Sequence, residues 1–211
     1  MLFRQFRDTR SRSCTYLLAD TEAREAMVID PVPENLDVLL AVAGELWLRA
    51  ILLTHAHAGS RDGAVTLREH TGAPLVVSSA CQEIDGDDRV DHLDYRVFGS
   101  EVVHVIGTPG CTPCSVCYRW RNRLFTGNTL PIGRCGTDEV GAEDAGRLFD
   151  SVTGRLFELP PETLVYPSRD LGGRTVSSIA EEKSLNFHFG GREEFVTLMA
   201  QRRCSRPSME T

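Results

Sequence analysis

The sequence lacks three features that would each indicate a class of function. No apolar run approaches the roughly 20 residues that a membrane-spanning helix needs, and the opening MLFRQFRDTRSRS lacks the apolar stretch of a secretion signal. Positive charge is not in excess, because the net charge is −7, which argues against nucleic acid as a partner. We therefore expect a cytoplasmic protein that acts on neither nucleic acid nor a membrane.

Internal repeats, low-complexity blocks and linkers are also absent from the 211 residues. This length suits one α/β domain with a sizeable core. The last seven residues are polar and contain proline, so we expect them to fray. The sequence therefore predicts a single domain over residues 1–204 and a disordered tail over residues 205–211.

Strand and helix patterns alternate in two successive halves of the chain. The first half predicts strands at 15–20, 25–30, 50–55 and 74–79 and helices at 33–45 and 63–72, and the second half predicts strands at 101–110, 115–120, 124–128 and 163–168 and helices at 141–159, 176–186 and 192–203. Residues 81–95 are polar and acidic, and we expect a surface loop there. This alternation favours helices outside sheets, with the chemistry in the loops at strand ends.

The chain has seven cysteines, which are Cys14, Cys81, Cys111, Cys114, Cys117, Cys135 and Cys204. In a cytoplasmic chain of this size we expect thiols, metal ligands or catalytic residues rather than disulfides, and each one could equally be a small buried hydrophobe. The run CTPCSVC contains a C-x-x-C spacing, which is found in redox pairs and in halves of zinc knuckles. Because no second C-x-x-C exists outside this run, we do not expect a zinc ribbon.

Two histidines follow the apolar strand in the segment LLTHAHAGS. His55 and His57 are spaced i and i+2 at a strand end, where a turning chain can bring both imidazoles together. The spacing indicates the first half of a metal site. Gly59 and Ser60 then stand where further ligands are expected. A hydrogen-bonded core histidine and a solvated loop histidine are the alternative interpretation.

Several segments together resemble one protein family. They are VIDPV (28–32), THAHAGS (54–60), TPGCTP (108–113), LFTGN (124–128), RCGTD (134–138), YPSRD (166–170) and GRTVSSIAEEKSLNF (173–187). With the N-terminal segment, they resemble the metallo-β-lactamase superfamily, in the branch of persulfide dioxygenases and glyoxalase II. The resemblance implies an α/β fold, an αββα sandwich of one domain with a metal cleft at one edge of its two sheets.

The ligand positions of that family are mostly replaced. The family pattern T-H-x-H-x-D-H, T-P-G-H-T, T-G-D and Y-P-x-H-D keeps its first two histidines here, and the other five positions are Gly59, Ser60, Cys111, Asn128 and Arg169. Glycine offers no ligand, serine is a poor one, and arginine is a permanent cation that would repel a second metal ion. The sequence therefore argues against a dinuclear zinc hydrolase.

The resemblance to persulfide dioxygenases implies one Fe(II) ion held by two histidines and a carboxylate, at positions 55, 111 and 128. Here His55, His57 and Cys111 could instead hold one ion, with Asn128 as a weak ligand or a hydrogen-bonding neighbour. A thiolate at position 111 would replace the lost negative charge, and this softer set favours Zn, Cu or Fe. Arg169 could meet an anionic substrate. The alternative is no functional metal at all.

The resemblance also implies a substrate pocket for a carboxylate-bearing thiol. The residues at its positions are Arg134, Cys135, Thr137, Asp138 and Arg174. Guanidinium groups suit a carboxylate, although Asp138 and Arg174 could instead belong to structural ion pairs. The changes in this segment put glutathione itself in doubt.

We therefore predict a divergent persulfide dioxygenase-like enzyme that acts on a thiol, persulfide or other sulfur-containing small molecule. Cys111, Asn128 and Arg169 would be its catalytic residues. Two alternatives stay open: an inactive relative that binds a thiol ligand or a protein partner, and a metal-free enzyme with Cys111 or Cys114 as nucleophile. A homodimer is compatible with the main prediction and with both alternatives.

Overall fold

The computed structural model describes residues 1–133, 135, 142–170, 172–186 and 191–204, which form two six-stranded sheets. The first sheet contains, in spatial order, β1 (Leu2–Arg7), β2 (Cys14–Asp20), β3 (Glu25–Ile29), β4 (Trp47–Leu52), β5 (Leu75–Ser78) and β6 (Asp88–Val90). Strands β1 to β3 pair antiparallel, and β3 to β6 pair parallel. Sequence neighbours are therefore also spatial neighbours across this sheet.

The second sheet is also mixed, but most of its strand pairs are antiparallel. It contains, in spatial order, β7 (Tyr95–Phe98), β8 (Glu101–Gly107), β9 (Val116–Trp120), β10 (Arg123–Gly127), β11 (Leu164–Pro167) and β12 (Ser177–Ser178). Strands β7 to β10 form an antiparallel meander, β10 and β11 are parallel, and β12 closes the edge antiparallel. A long helical connection separates the two parallel strands, as parallel pairing requires.

Helices cover the outer face of each sheet. Helices α1 (Leu36–Ala43) and α2 (Ala58–Thr71) pack on the first sheet, and α3 (Ala142–Ser151), α4 (Ile179–Leu185) and α5 (Arg192–Cys204) pack on the second. A 3-10 turn at Pro33–Asn35 precedes α1, and a π-helical turn at Val152–Leu156 follows α3. The helix–sheet–sheet–helix layering confirms the predicted αββα fold.

Strand β2 shows how the sequence builds these layers. Successive side chains of a strand point to opposite faces, so Tyr16 and Leu18 enter the core between the sheets, whereas Leu17 and Ala19 pack against the helices. All four are fully buried. A strand that is buried on both faces has a continuous apolar sequence rather than an alternating one, and TYLLAD matches this rule.

The structure differs from the sequence prediction at several elements. Strands β7 and β12 were not predicted, and α2 begins at Ala58 rather than at residue 63. Residues 81–95, predicted as a loop, contain β6, which extends the parallel ladder of β5. Residues 2–7, for which no element was predicted, form β1, where pairing with β2 and the contact of Phe3 with Tyr166 at a ring-centroid distance of 5.2 Å hold an irregular sequence extended. The tail 205–211 lies outside the described residues, so the predicted domain boundary stays a prediction. Within the described part of the chain, every helix is too short or too polar to cross a lipid bilayer.

Candidate functional site

The loops that follow four strands bring polar side chains to one edge of the sandwich. Asp30 follows β3, Thr54 and His55 follow β4, Asn128 follows β10 and Ser168 follows β11. Hydrogen bonds join all five residues. This hydrogen-bonded polar cluster therefore lies in loops at strand ends, which is where the sequence analysis expects a site.

A buried carboxylate forms the inner end of this network. Asp30 accepts hydrogen bonds from the Thr54 amide at 2.8 Å and from the Thr54 hydroxyl at 2.6 Å. Burial raises the pKa of Asp30 to about 7, while the hydrogen bonds from Thr54 act in the opposite direction. Sequence reasoning missed this residue as part of the site, although the segment VIDPV places an acid directly after a buried strand.

His55 and His57 lie with their rings nearly perpendicular, at an interplanar angle of 87° and a centroid distance of 4.6 Å. The Asn128 side-chain nitrogen lies 3.0 Å from His55 Nε2 and 2.9 Å from His57 Nδ1. Ser168 Oγ donates to Asn128 Oδ1 at 2.7 Å. The structure thus brings together three of the four predicted metal-site residues.

These hydrogen bonds agree with a single assignment of protons. Thr54 Oγ1 donates to Asp30, so it accepts from His55 Nδ1–H at 2.7 Å. His55 Nε2 is then a lone-pair acceptor, and both amide hydrogens of Asn128 are used by the two imidazoles. The lone pairs of His55 Nε2 and His57 Nδ1 therefore converge on one atom, the Asn128 side-chain nitrogen.

His55 is held in its neutral form. Burial lowers the pKa of His55 to about 3, and electrostatic interactions with His57 and Arg169 lower it further. Arg169 is exposed, and its backbone pairs with that of Ser13. The electrostatic effect of Arg169 on His55 places a permanent cation near the histidine pair. A catalytic role for Arg169 stays a prediction.

The two replaced ligand positions after the histidines lie in the first turn of α2. Ser60 is buried, and a side chain added at Gly59 would meet no heavy atom within 4 Å. The fold therefore does not require glycine at position 59. The loss of a ligand there is a chemical change and not a packing necessity.

Cys111, the fourth predicted ligand, is half-buried on the loop between β8 and β9. Within the described residues, three ligand atoms of His, Cys, Asp or Glu lie mutually within 4.8 Å in one group, which consists of Cys81, Glu83 and Cys114. The Cys111 thiol therefore does not come this close to both imidazoles. Metal binding by Cys111 stays a prediction.

Two of the five predicted substrate residues, Cys135 and Arg174, fall within the described residues, and each has a structural partner there. Arg134, Thr137 and Asp138 lie outside the described residues. The Cys135 side chain is fully buried, and its thiol donates to the Thr129 carbonyl at 3.3 Å. Arg174 forms an exposed ion pair with Glu181 at 2.5 Å, which is the structural alternative that the sequence left open. Substrate binding by these residues stays a prediction.

The C-x-x-C run also divides into different environments. Cys117 is fully buried, and burial raises its pKa to about 12, so it is a core thiol rather than a reactive one. Cys114 belongs instead to the group with Cys81 and Glu83. Neither residue lies in the network around His55.

Comparisons with known proteins identify relatives of this chain. No protein-family model matches the chain. The chain is 34% identical over 212 residues to the mitochondrial persulfide dioxygenase ETHE1 of Bos taurus, covering 98% of this chain and 84% of that protein. The solved structure of ETHE1 from Myxococcus xanthus has a TM-score of 0.85 and 38% identity, covering 98% of this chain and all of that one.

Two other solved structures extend the likeness. A metallo-β-lactamase from Staphylococcus aureus has a TM-score of 0.83 and 25% identity, covering 99% of this chain and 68% of that one. A protein solved in a di-iron-bound form has a TM-score of 0.70 and 26% identity, covering 87% of this chain and 98% of that one. The chain therefore belongs to the metallo-β-lactamase superfamily, as an ETHE1-like member of it.

Proposed function

We propose that this protein is a metal-dependent enzyme acting on a thiol, persulfide or other small sulfur compound, with one metal ion held by His55, His57, Cys111 and Asn128. The observation that carries the proposal is the convergence of the two imidazole lone pairs on the Asn128 amide. The relatives named persulfide dioxygenase support the sulfur chemistry. The five changed ligand positions support a single ion rather than two.

The histidine pair fits a metal ion chemically. A metal-binding histidine commonly donates its second ring N–H to an oxygen acceptor, which fixes the ring and its tautomer. His55 does this through Thr54, which is held in turn by Asp30. This buried relay keeps His55 Nε2 unprotonated and directed toward the Asn128 amide.

Asn128 can change from a hydrogen-bond donor to a metal ligand and still keep a hydrogen bond to Ser168. Rotation of its amide would present Oδ1 to an ion, and Nδ2–H would then donate to Ser168 Oγ, since a hydroxyl both donates and accepts. The amide oxygen is a neutral ligand, so it does not replace the carboxylate's charge. A Cys111 thiolate would supply that charge, and this division of roles is the core of the proposal.

The metal ion and the cationic side chain of Arg169 would act together on the substrate. A bound transition metal supplies a Lewis-acidic position for sulfur and, if it is iron, a redox-active one. Arg169 attracts an anionic thiol or persulfide to the exposed side of the site and stabilises negative charge that develops there. Its permanent charge also disfavours a second metal ion next to His55.

A second candidate function has its own supporting observation. The Asn128 amide already satisfies both imidazoles without an ion. A non-catalytic relative that binds a thiol ligand or a protein partner would need nothing more at this site. That function predicts neither bound metal nor turnover.

Metal analysis after anaerobic purification tests the proposal. The amount of metal lost in His57→Ala relative to wild type measures occupancy of this centre, which we expect to be about one ion per chain. Cys111→Ser should lose the same amount. A Cys111→Ala variant that retains as much metal as wild type would refute the thiolate ligand, and equal metal in wild type and His57→Ala would refute the centre itself.

A further inference from the structure

A second group of potential ligands lies outside the histidine network. Cys81 follows β5, Glu83 is two residues further on, and Cys114 lies on the loop between β8 and β9. One ligand atom from each residue lies within 4.8 Å of the other two. The group joins loops from both sheets and uses no residue of the candidate centre described above.

The two sulfur–oxygen distances in the group lie near the edge length of a tetrahedral zinc site. Zinc–sulfur bonds of about 2.3 Å and zinc–oxygen bonds of about 2.0 Å imply sulfur–oxygen separations of roughly 3.5 Å around one ion. The observed separations from Glu83 Oε2 are 3.4 Å to Cys81 Sγ and 4.0 Å to Cys114 Sγ. A shift of about half an ångström would bring the distance between Cys114 Sγ and Glu83 Oε2 to the value around one ion.

We propose that Cys81, Glu83 and Cys114 form a binding site for a soft divalent cation of the zinc class. Two thiolates and one carboxylate are a donor set that zinc accepts, and a water molecule would take the fourth position. Hard cations such as Mg²⁺ and Ca²⁺ prefer sites made of oxygen ligands. The proposal is independent of the function proposed for the histidine centre.

The surroundings of the group suit an ion rather than a loose surface contact. Both thiols are buried, whereas Glu83 is exposed and gives the site an opening to solvent. The Cys81 backbone is fixed at both ends, because its amide donates to the Ser78 carbonyl at 2.9 Å and its carbonyl accepts from Arg89 at 2.9 Å. A fixed backbone reduces the ordering cost of metal binding.

The charge balance is also favourable. Two thiolates and a carboxylate bring three negative charges to a divalent ion, so the site would carry one net negative charge. The Arg89 guanidinium, which binds the carbonyls of Ser78 and Cys81, lies beside the group and offsets it. His57 is close enough to Glu83 to act on it electrostatically, so the proposed site borders the histidine pair.

Cobalt binding tests this site, because Co²⁺ replaces zinc and gives sulfur-to-cobalt charge-transfer absorption when thiolates coordinate it. All proteins should carry Cys111→Ser, which removes the thiolate of the other proposed centre. We expect about one equivalent of Co²⁺ to produce the absorption band. Cys81→Ser and Cys114→Ser should each weaken binding at least tenfold, and Cys117→Ser, the matched buried control, should leave it unchanged.

Two results would overturn the proposal: a band that survives in both Cys81→Ser and Cys114→Ser, or no thiolate band with excess Co²⁺. Because serine at a buried position could disturb folding, a crystal of the wild-type protein soaked in Zn²⁺ gives an independent measurement. We expect an anomalous-scattering peak between the two Sγ atoms and Glu83. An absent peak at excess Zn²⁺, or a disulfide between the two cysteines, would count against the site.

Discussion

At the scale of single residues, Asn128 decides how the histidine pair behaves. Its amide differs from a carboxylate by one NH2 group, yet that group converts an acceptor into a donor that binds two imidazoles at once. The site can therefore be satisfied by hydrogen bonds alone. An aspartate at this position could not donate to either imidazole and would attract a cation instead.

Asn128→Asp should therefore tighten metal binding at the histidine pair by about tenfold or more, the size of effect seen when groups around a metal ion change. The added negative charge lies next to both ring nitrogens and keeps its hydrogen bond from Ser168. Competition against a chelator measures the change. Asn128→Leu, of similar size and without a ligand atom, is the control and should bind more weakly than wild type. Equal affinity for Asp and Asn would contradict this role.

At the scale of secondary-structure elements, the ends of β4 and β10 must approach closely to bring the histidines to Asn128. Gly127, the last residue of β10, has φ = +55°, and a side chain there would collide with Thr54 and press on the His55 ring. Only glycine meets both demands without strain. The close approach of these two strand ends is a precondition of the site.

Gly127→Ala should destabilise the protein by roughly 1–3 kcal/mol, the cost of a strained backbone, with the collision adding to it. Gly154→Ala is the matched control, because a side chain there meets no heavy atom within 4 Å and alanine is favoured in a helical turn. Urea unfolding of both variants measures the difference. A Gly127→Ala protein as stable as Gly154→Ala would show that the strand ends are not in close contact.

The sequence predicted the elements better than their contacts. Continuous apolar strands such as TYLLAD predict a buried strand by themselves, whereas β1 and β6 are edge strands, each of which depends on its pairing with one neighbour. His55 and His57 were predicted from their spacing. The relay through Asp30 and the group around Glu83 were not, because each joins residues far apart in the chain.

At the scale of the whole molecule, two carboxylates of the first sheet accept hydrogen bonds from a turn of the second sheet. Asp20 Oδ2 accepts hydrogen bonds from the Ser100 amide at 3.0 Å and the Ser100 hydroxyl at 2.9 Å. Glu25 accepts from the Gly99 amide at 2.7 Å. The turn between β7 and β8 is thus tied to the hairpin of β2 and β3.

Asp20→Asn should weaken this tie in a pH-dependent way. The hydrogen bond from the Ser100 amide, followed by that from Ala23, lowers the pKa of Asp20 to about 2 in the folded protein. The ordinary value is about 3.9, so the stabilisation is full above that pH and is lost as pH falls toward about 2. The variant should be less stable at pH 6, and the difference should shrink below pH 4.

Urea unfolding at pH 6, 4 and 3 measures this effect. Glu45→Gln is the control, because its exposed ion pair with Arg24 should contribute at most about 1 kcal/mol. A stability difference between Asp20→Asn and wild type that does not change with pH would show that the carboxylate's charge is not what joins the sheets.

The central claim is that sulfur chemistry takes place at the histidine pair, and consumption of a small persulfide tests it most directly. Wild type and His57→Ala should be treated with metal in the same way and then assayed with glutathione persulfide and with smaller persulfides as substrates. The loss of sulfane sulfur and of oxygen should be measured together. We predict that wild type consumes at least one of them, with glutathione persulfide a poor substrate, and that His57→Ala loses at least about 90% of the rate. No consumption by wild type, or equal rates for both proteins, would contradict the claim.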